Sequence, residues 1–89
     1  MVHVNEILER DIFNRLRRQH VRFPAGFPCD RNGIRLGLAS VEDELKETLE
    51  AWQDEKRQPF TRTCKTYDEL LDLIACAIYI AEGFHADTD

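Results

Sequence analysis

The sequence predicts an all-α protein of three main helices that assemble into an oligomeric bundle, at least a dimer. Apolar residues recur at three- and four-residue intervals in three separate stretches, and prolines and glycines cluster between them. The last stretch is apolar on nearly every side, which demands more cover than two short helices give, so a second copy of the chain is expected to bury it. At 89 residues the chain reads as one domain, 1–89, with a short polar tail from about 85 to 89. A chain of this size alone buries only about 60 to 65% of its unfolded surface, so its core is thin.

The first helix is expected from about residue 3 to residue 20, where Val4, Ile7, Leu8, Ile12 and Leu16 form one stripe. Its basic end, "RLRRQH", suits the carbonyl-rich C-terminus of a helix. "FPAGFPCDRNG" carries two prolines, two glycines and an Asn-Gly pair and reads as a loop. In the second helix Leu38, Val41, Leu45, Leu49 and Trp52 fall within a narrow arc, which marks them as the buried stripe. "RQPFTRTCK", with Pro59, reads as the next connection. The third helix opens at "TYDEL", where Thr66 can cap free amides and Glu69, three residues on, can complete a capping box. It runs through "LLDLIACAIYIA" to a stop signal at Gly83.

The net charge is −5, with a hydrophobic content of 43% and 33% charged residues. Such a surface repels phosphate backbones on average and argues against general nucleic-acid affinity. No stretch approaches the roughly 20 apolar residues of a membrane span, and the N-terminus lacks the features of a secretory signal. The expectation is a cytoplasmic protein. Cys29, Cys64 and Cys76 are odd in number and lack C-x-x-C spacing, which points to free thiols rather than disulfides or zinc. His3, His20 and His85 show no ligand spacing.

The chemistry-bearing residues are carboxylates. Within "VEDELKETLEAW", Glu44 and Glu47 sit one helical turn apart and within about 60° of one another, so both can reach a common point. Asp43 is close enough to Glu47 to lend a further charge. Glu69 and Asp72 repeat the spacing on the third helix, and Asp72 falls inside an apolar run where an unpaired charge is costly. Packed antiparallel, the two helices bring four carboxylates together, and their repulsion calls for a cation or for protons. Hard oxygen ligands suit Mg²⁺, with Mn²⁺ as a substitute, and hence a substrate carrying phosphates. The alternative for each helix alone is a solvated acidic face, with Glu69 used in the capping box and Asp72 paired to an arginine of the first helix.

"DELKE", Asp43 to Glu47, followed by "ELLD", Glu69 to Asp72, resembles the EExxE and ExxD signature of the MazG-like, all-α nucleoside triphosphate pyrophosphohydrolases. The resemblance covers Leu36 to Ala81, and "ETLEAW" and "ELLDLIACAIYIA" are similar to the family's continuations after its two motifs. Asp43 departs from the pattern, one methylene shorter than the Glu of the first motif. The resemblance implies Glu44, Glu47, Glu69 and Asp72 as Mg²⁺ ligands. It also implies cleavage of a nucleoside triphosphate between the α and β phosphates to the monophosphate and pyrophosphate. Glu47 is the candidate for orienting the attacking water, with Glu44 the other choice.

Phosphate oxygens need cationic partners as well. Arg18 and Arg22, beside Arg15 near the end of the first helix, and Lys56 and Arg62, with Arg57 and Lys65 around the second connection, are the candidates. A base has Phe23, Phe27, Phe60 or Trp52 to stack on, although Trp52 belongs to the stripe assigned to the core. The leading expectation is a Mg²⁺-dependent pyrophosphohydrolase working as a homodimer or homotetramer. The alternatives are a helical nucleotide-binding or regulatory module without turnover, and a purely structural dimer with a solvated acidic helix.

Overall fold

The structure, a computed structural model, describes residues 2–55 and 60–85, with the backbone alone at residues 2–5. Lys56 and Arg57, named above as candidate phosphate partners, and the tail from 86 lie outside the described residues. All regular structure among the described residues is helical: α1 spans Val2–Arg22, α2 Arg31–Asp54 and α3 Lys65–Gly83. None of the three helices is long and apolar enough to cross a membrane.

α3 is the central element. It packs against α2 on one side and α1 on the other, and α1 and α2 flank it without packing on each other. Leu71, Ala75, Cys76, Tyr79 and Ile80 of α3 and Ala51 of α2 form the core. The two flanking helices leave α3 partly uncovered: Leu73, Ile74 and Ile78 are half-buried, and Leu70 stays 40% exposed. Among the described residues no large side chain is fully buried, as the thin core of a short chain leads one to expect.

α2 meets α3 through an unexpected face. Gly33, Gly37 and Ala51 are its buried residues, with Glu44 and Thr48 half-buried in the same register. A Cβ on Gly37 would stand 2.9 Å from Ile80 Cγ1, so any larger residue here would require the Ile80 side chain to shift. The apolar stripe lies about 100° further round the helix. Contrary to the sequence expectation, Leu38, Leu45, Leu49 and Trp52 are between 45% and 57% exposed in the single chain. The helical period identifies an apolar face but not what covers it, and here the inner face is given to small residues.

The turn chemistry also differs from expectation. Asn32-Gly33 lies inside the first turn of α2 rather than in the loop, because Asp30 caps the helix by accepting from the Gly33 amide at 2.7 Å. A Cβ on Gly33 would fall 2.0 Å from the Pro28 carbonyl oxygen, so the glycine serves close packing. Gly26, at φ 69°, supplies the left-handed turn of the loop. At the start of α3 the cap is Cys64, whose Sγ accepts from the Tyr67 amide at 3.4 Å, and not Thr66. The Thr66 hydroxyl is buried without a partner, so the expected capping box does not form and Glu69 is available to the α2 side.

A candidate cation site between the second and third helices

The α2/α3 interface holds one group of acids close together. Glu44 and Glu47 of α2 and Glu69 of α3 each offer a carboxylate oxygen, all within 4.8 Å of one another. Glu44 and Glu69 are half-buried and Glu47 is exposed, so the group opens to solvent on one side. The i, i+3 spacing on α2 and the glycine-mediated approach of α3 bring about this convergence. The Glu44 carbonyl accepts from Thr48 Oγ1 at 2.8 Å, which fixes the turn between the two α2 acids.

The electrostatics follow from the crowding. Burial, then the charges of Glu47, Asp72 and Glu69, push the Glu44 carboxyl up to about 7. Burial, then Glu47 and Asp72, raise Glu69 in the same sense. Burial and the nearby Glu44 raise the Cys76 thiol as well, leaving it a protonated, inert neighbour. Glu44 Oε2 is shut away from solvent with no hydrogen-bond partner. An acceptor buried in that state fits a cation or a proton donor, so these residues match the hard-oxygen chemistry of a small divalent ion.

Asp72 is placed differently. It lines the same cavity of about 250 Å³, but its Oδ1 accepts from Arg15 Nη1 of α1 at 2.8 Å. Arg15 also donates to the Asp68 carboxylate and to the Asp68 carbonyl, the latter at 3.3 Å. Burial opposes the Arg15 charge, but the bonds to Asp72 and Asp68 outweigh it and raise its pKa. The arginine pairing that was the alternative for Asp72 thus exists, while Asp72 still contributes charge to the carboxylate group.

No family model, curated protein or solved structure matches the chain.

Of the candidate phosphate partners, Arg22 lines the carboxylate cavity, with its guanidinium 5.2 Å from the Phe23 ring centre. Arg18 lies instead in a polar depression with Asp11, Arg15 and Asp68. Arg62 is held by Asp11, donating to both carboxylate oxygens at 2.7 and 2.8 Å, and is not directed at the acids of α2. Those bonds, with that from the Tyr67 hydroxyl at 2.8 Å, bring the Asp11 carboxyl down to about 2. Trp52 is 55% exposed rather than core, and Phe23 is the aromatic ring at the cavity.

Gln19 and Ser40 also line the cavity, and nothing in the carboxylate pattern points to them. For Gln19 the available signal is register: it follows Ile12 and Leu16 at i+7 and i+3, a polar residue in an apolar stripe.

Proposed function

We propose that the chain is a Mg²⁺-dependent nucleoside triphosphate pyrophosphohydrolase, and that Glu44, Glu47 and Glu69 hold the ion, with Mn²⁺ an acceptable substitute. The single observation that supports this reading is the convergence of three carboxylates from two helices on one partly buried point, beside an acceptor with no partner. Asp72 adds charge to that point while it is steadied by Arg15. When bound, Mg²⁺ supplies charge neutralisation of the phosphates and polarisation of phosphorus toward attack by water.

The protein's own groups divide the remaining work. Glu47, the exposed member, is open to the solvent from which the attacking water comes and can accept a hydrogen bond from it. Glu44, poised near neutrality, accommodates a proton when no ion is present. Arg22 at the cavity rim offers a guanidinium to phosphate oxygens. Phe23 presents a ring for a base.

The active unit is at least a dimer in this reading. Leu38, Leu45, Leu49 and Trp52 form an exposed apolar stripe on α2, and among the described residues no large side chain is completely buried. A self-complementary contact through that stripe supplies the missing burial.

The test is a product assay with a panel of triphosphates and Mg²⁺ or Mn²⁺. The expected result is pyrophosphate release that disappears in Glu47→Gln, and absence of pyrophosphate across the panel would overturn the enzymatic reading. One observation favours a second reading, a nucleotide-binding module without turnover: Asp72 is engaged by Arg15 and is not among the three converging acids. Nonhydrolysable triphosphate binding without product release from hydrolysable ones would support it.

A further inference from the structure

Gln19 is 7% exposed, and it lines the carboxylate cavity from the α1 side. Its Oε1 is closed off from solvent and has no hydrogen-bond donor. Glu44 lines the same cavity, and its Oε2 is in the same condition. Two residues of one cavity thus each keep a buried acceptor unpartnered, and the Arg22 guanidinium that also lines the cavity bonds to neither. The Ser40 hydroxyl is engaged with the Leu36 carbonyl at 3.3 Å, and the Cys76 thiol is a weak donor. Buried polar groups left this way destabilise a fold, so a persistent pair of them marks a place where something else completes the bonding.

A hydrated divalent cation supplies both things the pair lacks. Its charge answers the carboxylate, and the water it retains carries strongly polarised O–H donors that a neutral carboxamide oxygen can accept. Mg²⁺ in particular gives up its water reluctantly. We infer that Gln19 is a positioning residue for the hydration shell of the ion held by Glu44, Glu47 and Glu69, its Oε1 accepting a hydrogen bond from a water of that shell. This rests on the reading of the three carboxylates as an ion site. Gln19 then serves the ion at the expense of the ion-free fold, the opposite of what a buried structural glutamine does.

The experiment compares wild type with Gln19→Met, which keeps length and removes hydrogen bonding. Mg²⁺ is titrated calorimetrically into the full chain, and urea unfolding is followed in EDTA. The expected result is a loss of Mg²⁺ affinity of about tenfold or more in Gln19→Met, the range for partners that orient a metal's ligands. In EDTA its urea midpoint should equal or exceed that of wild type. Unchanged affinity overturns the inference, as does a clear fall of the midpoint in EDTA, which would make Gln19 a fold residue. Should Gln19→Met not fold, Gln19→Glu decides: added charge facing the ion should tighten Mg²⁺ binding, and no tightening overturns the inference. A wild type that takes up neither Mg²⁺ nor Mn²⁺ removes the ion site itself, a failure distinct from that of the variants alone.

Discussion

Arg15 of α1 holds Asp72 of α3 through a 2.8 Å hydrogen bond, and in doing so tethers the outer helix to the wall of the carboxylate cavity. The arginine side chain is 16% exposed and the aspartate 33%, so water screens the pair only in part. Removing the arginine leaves Asp72 facing Glu44 and Glu69 without its cation.

Arg15→Met should therefore destabilise the ion-free protein by roughly 1–2 kcal/mol, the scale of a charged hydrogen bond discounted for partial exposure. A double-mutant cycle with Asp72→Asn, read by urea unfolding in EDTA, should show coupling. Additivity within about 0.3 kcal/mol would mean that the pair contributes nothing. Mg²⁺ should recover more stability in Arg15→Met than in wild type, because one more uncompensated charge faces the site.

The approach of α2 to α3 sets the distance between Glu44 and Glu69. Gly37→Val places atoms where Ile80 already stands, and overpacking of this kind costs roughly 1–3 kcal/mol. Thermal melting should show the loss, and Ile80→Ala should restore part of it. A Gly37→Val protein as stable as wild type would contradict the close helix contact.

Glu44 makes stability depend on pH in a definite sense. Its folded pKa, about 7, lies above the ordinary value of 4.5, so the native state holds a proton the unfolded chain releases. That contribution is complete below about pH 4.5 and is lost as pH rises through about 7. In EDTA the midpoint should fall between about pH 4.5 and 7 and level off above that, and Glu44→Gln should abolish the fall. Mg²⁺ competes with the same proton, so its stabilising effect should grow over that window. A flat profile in wild type would contradict the crowding of the acids.

Asp11 has the opposite sign. Arg62 and Tyr67 bring its pKa from 3.8 to about 2, so its contribution is present above 3.8 and lost as pH falls through about 2. Asp11→Asn should flatten the acid limb of the unfolding curve without changing the limb near neutrality. Loss of the neutral limb instead would place the two groups in one network, against the structure.

The α2 stripe gives a prediction about assembly. Leu49→Glu puts a charge in the middle of an exposed apolar face and should shift the chain toward monomer in sedimentation velocity. A monomeric wild type, or an oligomer indifferent to Leu49→Glu, would show that the stripe does not join two copies.

Much of this arrangement is legible in the sequence, and the exceptions have physical causes. The three helices and the proline-marked connections follow from periodicity and turn chemistry, and the turn spacing of Glu44 and Glu47 is sufficient to place them together. The orientation of α2 is not legible, because apolar periodicity reports a face and says nothing of its neighbour. Gly33, Gly37 and Ala51 form the inner face by being small, a property that hydropathy does not register. Thr66 and Glu69 match the capping pattern, but Cys64, an uncommon cap, starts the helix earlier and takes that role. Arg15 reads as one of several basic residues until the tertiary structure sets it beside Asp72. Gln19 is visible only as a polar interruption of the α1 stripe, and its burial depends on where α3 lies.

The most direct test of the shared cation site is a calorimetric titration of the ion-free protein with Mg²⁺ at pH 8, alongside Glu44→Gln and Glu69→Gln. The account predicts saturable binding in wild type and a large loss of affinity in both variants, although the two acids belong to different helices. No measurable uptake by wild type, or uptake that neither variant weakens, would contradict it.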